Sequence, residues 1–122
     1  MTDLEPFLET IGREALEQIQ LKKLEQMLLA VLPSNAFYRR KFEAASVSAA
    51  DVKTMESLRR IPFTTKQELS ADQAANPPYG TNLTWAPETY TRIHQTSGTA
   101  GEPLRWLDNR ESWDWWGRCW AA

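Results

Sequence analysis

The chain has 122 residues, 42% hydrophobic and 25% charged, which suits one packed domain or part of one and does not favour a disordered chain. With 14 basic and 16 acidic residues the net charge is −2, so no basic surplus points to nucleic acid or an anionic membrane as partner. The single cysteine, Cys119, excludes an intramolecular disulfide and, with no secretory leader, fits a reducing, cytoplasmic setting; no apolar run approaches the ~20 residues of a membrane span, and no cluster has zinc spacing.

The first element is a helix from about Thr10 to Leu32. Leu21, Leu24, Leu28 and Val31 recur at helical spacing, with Leu16 and Met27 on the same arc, and Pro33 is expected to stop it. Ser34 or Asn35 then caps a second helix, Ala36 to about Ala45, whose Phe37 or Tyr38 and Phe42 flank three cations, Arg39, Arg40 and Lys41. Ser48 to Asp51 has capping-box spacing, and Thr54 is placed to cap a turn at Met55–Leu58. Ile61 is extended because Pro62 follows it. Thr64 or Thr65 caps a helix of about Lys66 to Gln73. The stretch 76–87 is a loop, with Pro77, Pro78 and Gly80 leaving no regular structure.

The C-terminal third changes character. Glu88 to Gln95 reads as a strand and Pro103 to Leu107 as a second one. Asp108 or Asn109 caps a closing helix with Trp113, Trp116 and Trp120 on one face and Trp115 and Cys119 on another. Four of the six tryptophans fall in the last ten residues. Aromatics on two helix faces are expected to be buried on both, so the pattern is that of an element continued by further chain. The fold class is α/β: a helical region (1–75), a loop (76–87), a strand–loop–strand unit (88–107) and a helix (108–122).

Between the strands lies Thr96-Ser97-Gly98-Thr99-Ala100-Gly101. Glycines without Cβ let backbone N–H groups approach phosphate oxygens, and hydroxyls add rotatable donors. The spacing is not that of a P-loop, because two residues rather than four separate the glycines and no lysine follows Gly101. Nor is it a dinucleotide fingerprint, which opens a helix with three glycines. From composition alone a phosphate cradle and a flexible hairpin turn both remain open.

The run resembles the phosphate-binding loop of adenylate-forming enzymes, Ser/Thr-Ser-Gly-Thr-Thr-Gly-x-Pro. Thr96, Ser97, Gly98, Thr99, Gly101 and Pro103 match, and Ala100 replaces the second threonine. With AFYRRKFEAA at 36–45, LRRIPFTTKQEL at 58–69 and RIHQTSGTAGEP at 92–103, the chain resembles the opening part of the phenylacetate–coenzyme A ligase family, over about residues 20 to 110. The resemblance implies the N-terminal part of the large domain of such an enzyme, mainly helical here, with a short β-hairpin around the phosphate loop. It implies ATP, Mg²⁺ and coenzyme A, and a carboxylic acid, aryl or arylacetic, converted to an acyl-adenylate and then a thioester. Thr96, Ser97, Gly98, Thr99, Ala100 and Gly101 would hold the β- and γ-phosphates. No catalytic residue and no metal ligand is assigned within the chain, which alone is expected to be inactive. A non-catalytic nucleotide-binding or interaction module, and a relative adenylating a different carboxylate, are the alternatives.

His94 either supports the loop or lines the site, or is a partly buried histidine satisfied by backbone. Cys119 is expected to be a small buried residue. Arg39, Arg40 and Lys41 are read as a solvated face, or else as contacts to coenzyme A phosphates or a partner, and Lys66 as solvated in preference to a substrate role. Tyr79 and Trp85 are candidates to bound an aryl pocket, and the N-terminal helices are available for a homodimer interface.

Overall fold

A computed structural model of the chain describes residues 10–98 and 101–121. Helix α1 spans Arg13–Ser34, α2 Ala36–Ala44, α3 Lys66–Ala75 and α4 Arg110–Ala121. Strands β1 (Tyr90–Gln95) and β2 (Arg105–Asn109) form one antiparallel hairpin. Three-residue and four-residue 3₁₀ turns lie at Ala49–Asp51, Ser57–Arg60 and Pro87–Thr89. The mainly helical chain with a short hairpin is the expected architecture.

Helix α1 begins at Arg13, behind Gly12 and without a side-chain cap, rather than at Thr10. Nor does Pro33 end it. A proline in the last turn loses a single intrahelical bond, and the surrounding carbonyls are still used: Ser34 Oγ donates to Ala30 C=O at 2.9 Å and Asn35 N–H to Val31 C=O at 2.8 Å. Leu28 is buried, with Leu24 and Leu32 packed on the same core, but Met27 is 54% exposed at the edge of the apolar arc. Phe42, Val47 and Val52 complete this core, with Tyr38, Ala49, Leu58 and Ile61 around it.

Local capping follows the sequence closely. Asn35 caps α2, its side chain accepting from Tyr38 N–H. Ser48 and Asp51 form a capping box, as do Thr65 and Glu68 at the start of α3. The turn expected at Met55–Leu58 lies two residues later, with Thr54 Oγ1 accepting from Ser57 N–H at 3.1 Å.

In the hairpin, Arg92 pairs with Asp108, His94 with Trp106 and Gln95 with Arg105, and the register shifts between Tyr90 and Arg92. The strand expected from Glu88 starts at Tyr90 because Pro87–Thr89 is a 3₁₀ turn. The second strand starts at Arg105 rather than Pro103. Proline has no N–H for a ladder, and Leu104 N–H goes to the Thr96 hydroxyl. Asn109 is the residue that turns the chain into α4, its Oδ1 accepting from Ser112 N–H at 2.8 Å.

Three buried or half-buried polar side chains tie the 76–87 loop to the helices and to β1. Asn35, 2% exposed, donates from Nδ2 to Asn82 Oδ1 at 2.9 Å and Thr84 Oγ1 at 3.1 Å. Buried Asp72 accepts from Thr81 N–H at 2.5 Å, the Thr81 hydroxyl at 2.6 Å and Arg40 Nη2 at 3.0 Å. The Tyr90 hydroxyl accepts from the N–H groups of Thr84 and Trp85, both at 3.0 Å.

Candidate functional site: the loop of the hairpin

The loop is closed at its base by Thr96 and Leu104. Thr96 N–H donates to Leu104 C=O and Leu104 N–H to Thr96 Oγ1, each at 3.0 Å. Thr96 therefore uses one lone pair of its hydroxyl in closing the loop and keeps the hydroxyl proton for another acceptor. Further out, Gly101 N–H donates to Gly98 C=O at 3.1 Å. Both glycines have positive φ, +69° at Gly98 and +134° at Gly101. A Cβ on Gly98 would stand 3.0 Å from both Gly101 O and Pro103 Cγ, whereas one on Gly101 would meet no atom within 4 Å. Gly98 is thus required by conformation and by space, Gly101 by conformation.

The six loop residues divide by what remains available. The N–H groups of Thr96 and Gly101 are spent inside the hairpin. Among the described residues, Ser97 and Gly98 make no hydrogen bond from their N–H groups, and Ser97 is exposed. Thr99 and Ala100 lie outside the described residues.

His94 sits on β1, on the face that carries α4. Its ring stacks at 5.9 Å on Trp106 and at 5.2 Å on Trp113. Nε2 is buried and lies 3.0 Å from Asp108 Oδ2, an ion-pair distance without hydrogen-bond geometry. Backbone does not satisfy it. Asp108 in turn accepts the Ser112 hydroxyl at 2.9 Å, and Arg92 lies over the Trp113 ring at 5.1 Å.

Arg39 and Arg40 are exposed, as a solvated face would have them, and Lys41 is partly covered, but all three cations have protein partners. Arg40 reaches Asp72 and, at 2.8 Å, Thr81; Lys41 pairs with Glu68 and donates to Phe63 C=O at 2.7 Å; Arg39 donates to Pro33 C=O at 3.3 Å. Lys66 is exposed as expected. Tyr79 lines a cavity of about 40 Å³ with Leu69, Leu83, Leu104 and Leu107, room for water rather than for an aryl acid; Trp85 is 50% exposed and does not line it. Cys119 is exposed, not buried, although Lys23 Nζ of α1 lies 4.9 Å from the ring centre of Trp115 on the same face of α4. Trp115, Trp116 and Trp120 are 43%, 53% and 76% exposed. No described helix is long and apolar enough to cross a membrane.

Sequence reasoning missed one residue at this site. On α3, Gln73 Oε1 accepts from Arg105 N–H at 3.0 Å while its Nε2 donates to Arg105 C=O. A glutamine near the end of a polar helix carries no local signal of such a contact 32 residues away.

No family model matches the chain. Curated relatives do. The chain is 37% identical over 102 residues to the phenylacetate-coenzyme A ligase of Escherichia coli, covering 84% of this chain and 22% of that protein. It is 37% identical over 100 residues to the phenylacetate-coenzyme A ligase of Thermus thermophilus, covering 81% and 21%. Among solved structures, a 2-hydroxyisobutyryl-CoA ligase in complex with 2-HIB-AMP and CoA matches with a TM-score of 0.82 and 31% identity, over 88% of this chain and 23% of that one. The hairpin, its loop and the helices before it have the fold of the N-terminal part of the large domain of adenylate-forming CoA ligases. Within that class the chain belongs to the phenylacetate–coenzyme A ligase family. It spans about a fifth of the length of the curated relatives it matches.

Proposed function

We propose that this chain supplies the triphosphate-binding loop of an AMP-forming acid–coenzyme A ligase. The acid carboxylate attacks the α-phosphorus of ATP, releasing pyrophosphate and forming an acyl-adenylate; the coenzyme A thiol then displaces AMP to give the thioester. The loop contributes position and charge stabilisation, not a covalent intermediate. The N–H groups of Ser97 and Gly98, with the hydroxyls of Ser97 and Thr96, donate to the β- and γ-phosphates, and charged acceptors strengthen each bond. Thr99 and Ala100 belong to the same proposed cradle.

The described residues include no group of three or more His, Cys, Asp or Glu able to hold a metal. Mg²⁺ is proposed as a companion of the triphosphate, where it offsets phosphate charge. Phenylacetate is the proposed acid, on the strength of the curated relatives. A 2-hydroxy acid is the second reading, favoured by the likeness to the 2-hydroxyisobutyryl-CoA ligase.

The observation that carries the proposal is the Thr96–Gly101 loop itself. Two glycines have positive φ, and among the described residues two adjacent N–H groups make no hydrogen bond beside two hydroxyls. The test is a chimera in which residues 20–110 replace the matching segment of the Escherichia coli relative, assayed for pyrophosphate release with ATP–Mg²⁺ against a panel of aryl, arylacetic and 2-hydroxy acids. Acid-dependent release that falls roughly a hundredfold in Gly98→Val supports the reading. A folded chimera that releases no pyrophosphate with any acid refutes it.

A further inference from the structure

The outer edge of β2 is not bare. Gln73 presents a carboxamide whose Oε1 and Nε2 bond the N–H and C=O of Arg105 together. A primary amide carries donor and acceptor side by side, as an extended backbone residue does. Gln73 thus does for the edge of β2 what one residue of a third strand would do.

We propose that Gln73 is a positioning residue for the phosphate loop. It fixes Arg105; the next residue back, Leu104, spends both backbone groups on Thr96; and Thr96 leads directly into Ser97 and Gly98. The path therefore runs from a helix, through four backbone and side-chain bonds, to the Ser97 and Gly98 N–H groups, which make no hydrogen bond among the described residues. Its origin is firm. Helix α3 begins in the Thr65–Glu68 capping box, Glu68 is paired with Lys41, and Asp72, the neighbour of Gln73, is buried against Thr81 and Arg40. Its first link is reinforced across the hairpin, since Arg105 Nε donates to Gln95 Oε1 at 2.9 Å. The inference rests on the reading of the loop as a phosphate cradle.

Two arms test it. In the 122-residue chain, amide hydrogen exchange reads the clamp directly. The Arg105 amide is expected to be protected although it faces away from the hairpin partner, and the Ser97 amide is not. Gln73→Met, which keeps length and removes both bonds, should speed exchange at Arg105, Leu104 and Thr96 roughly tenfold and leave Leu28 and Phe42 unchanged. Gln67→Met, on the exposed face of the same helix, should change none of them. An unprotected Arg105 amide in the unaltered chain overturns the inference, as does a variant that speeds exchange everywhere alike. In the chimera, Gln73→Met should raise KM for ATP–Mg²⁺ roughly tenfold and leave KM for coenzyme A unchanged. An ATP KM within twofold of the parent, with exchange at Thr96 accelerated, also overturns it. A parent chimera without activity refutes the phosphate reading instead, and the exchange arm then decides alone whether Gln73 sets the loop.

Discussion

His94 and Asp108 face each other across the hairpin, Nε2 3.0 Å from Oδ2, between the stacked rings of Trp106 and Trp113. Asp108 also holds the Ser112 hydroxyl, so its carboxylate joins β1, β2 and α4. The pair pins α4 to the hairpin two residues before the loop begins. His94→Ala removes both ring stacks and the neighbour of the Asp108 carboxylate together and should cost about 1–3 kcal/mol. Tryptophan emission should shift to the red as Trp106 and Trp113 gain water. A urea midpoint and emission maximum equal to those of the parent would refute this role.

Gly98 and Gly101 should not respond equally to alanine. At Gly98 the new Cβ meets Gly101 O and Pro103 Cγ at 3.0 Å and sits at φ +69°; at Gly101 it meets nothing, and only the backbone is strained. Gly101→Ala is expected to cost roughly 1–2 kcal/mol and Gly98→Ala more. Thermal unfolding of the two variants ranks them, and the reverse order would show that the turn is held differently.

Asn35→Ala is expected to be among the most damaging single changes, at roughly 2–4 kcal/mol. It removes the α2 cap and leaves Asn82 and Thr84 without their shared donor at the 76–87 loop. Asn35→Asp keeps the cap acceptor but turns a donor into an acceptor facing Asn82 Oδ1. Both should lower the melting temperature. A harmless Asn35→Asp would mean that the link to the loop contributes little.

What the sequence made legible was local. The caps at Asn35, Ser48 and Thr65, the extended Ile61 and the existence of both strands were readable because each depends on neighbours within four residues. The need for glycine at 98 and 101 was readable because a positive φ is itself a glycine requirement, and both have one. The partners of Arg40, Lys41, Asp72 and Gln73 were not, since each lies 27 or more residues away in one direction at least, and polar side chains carry no periodic signal of such contacts. Strand ends failed for a related reason: whether Leu104 N–H joins a ladder or bonds a hydroxyl is decided by the opposite strand.

Glu68 should make the α3 start acid-sensitive in a defined window. The Lys41 ammonium beside it, with the Thr65 N–H and hydroxyl, lowers its pKa from 4.5 to about 2. A carboxyl whose folded pKa is depressed stabilises the fold fully above its unfolded value, and that stabilisation is lost as pH falls through the folded one. Glu68→Gln should therefore melt below the parent at neutral pH, and the gap should narrow between pH 4.5 and about 2. Asp51, also lowered, chiefly by the Ser48 hydroxyl, is present in both proteins and cancels in the difference. Melting curves followed at 222 nm across that range check it. A gap that stays constant down to the lower limit would mean that the Lys41–Glu68 contact is no stronger in the folded chain than in the unfolded one.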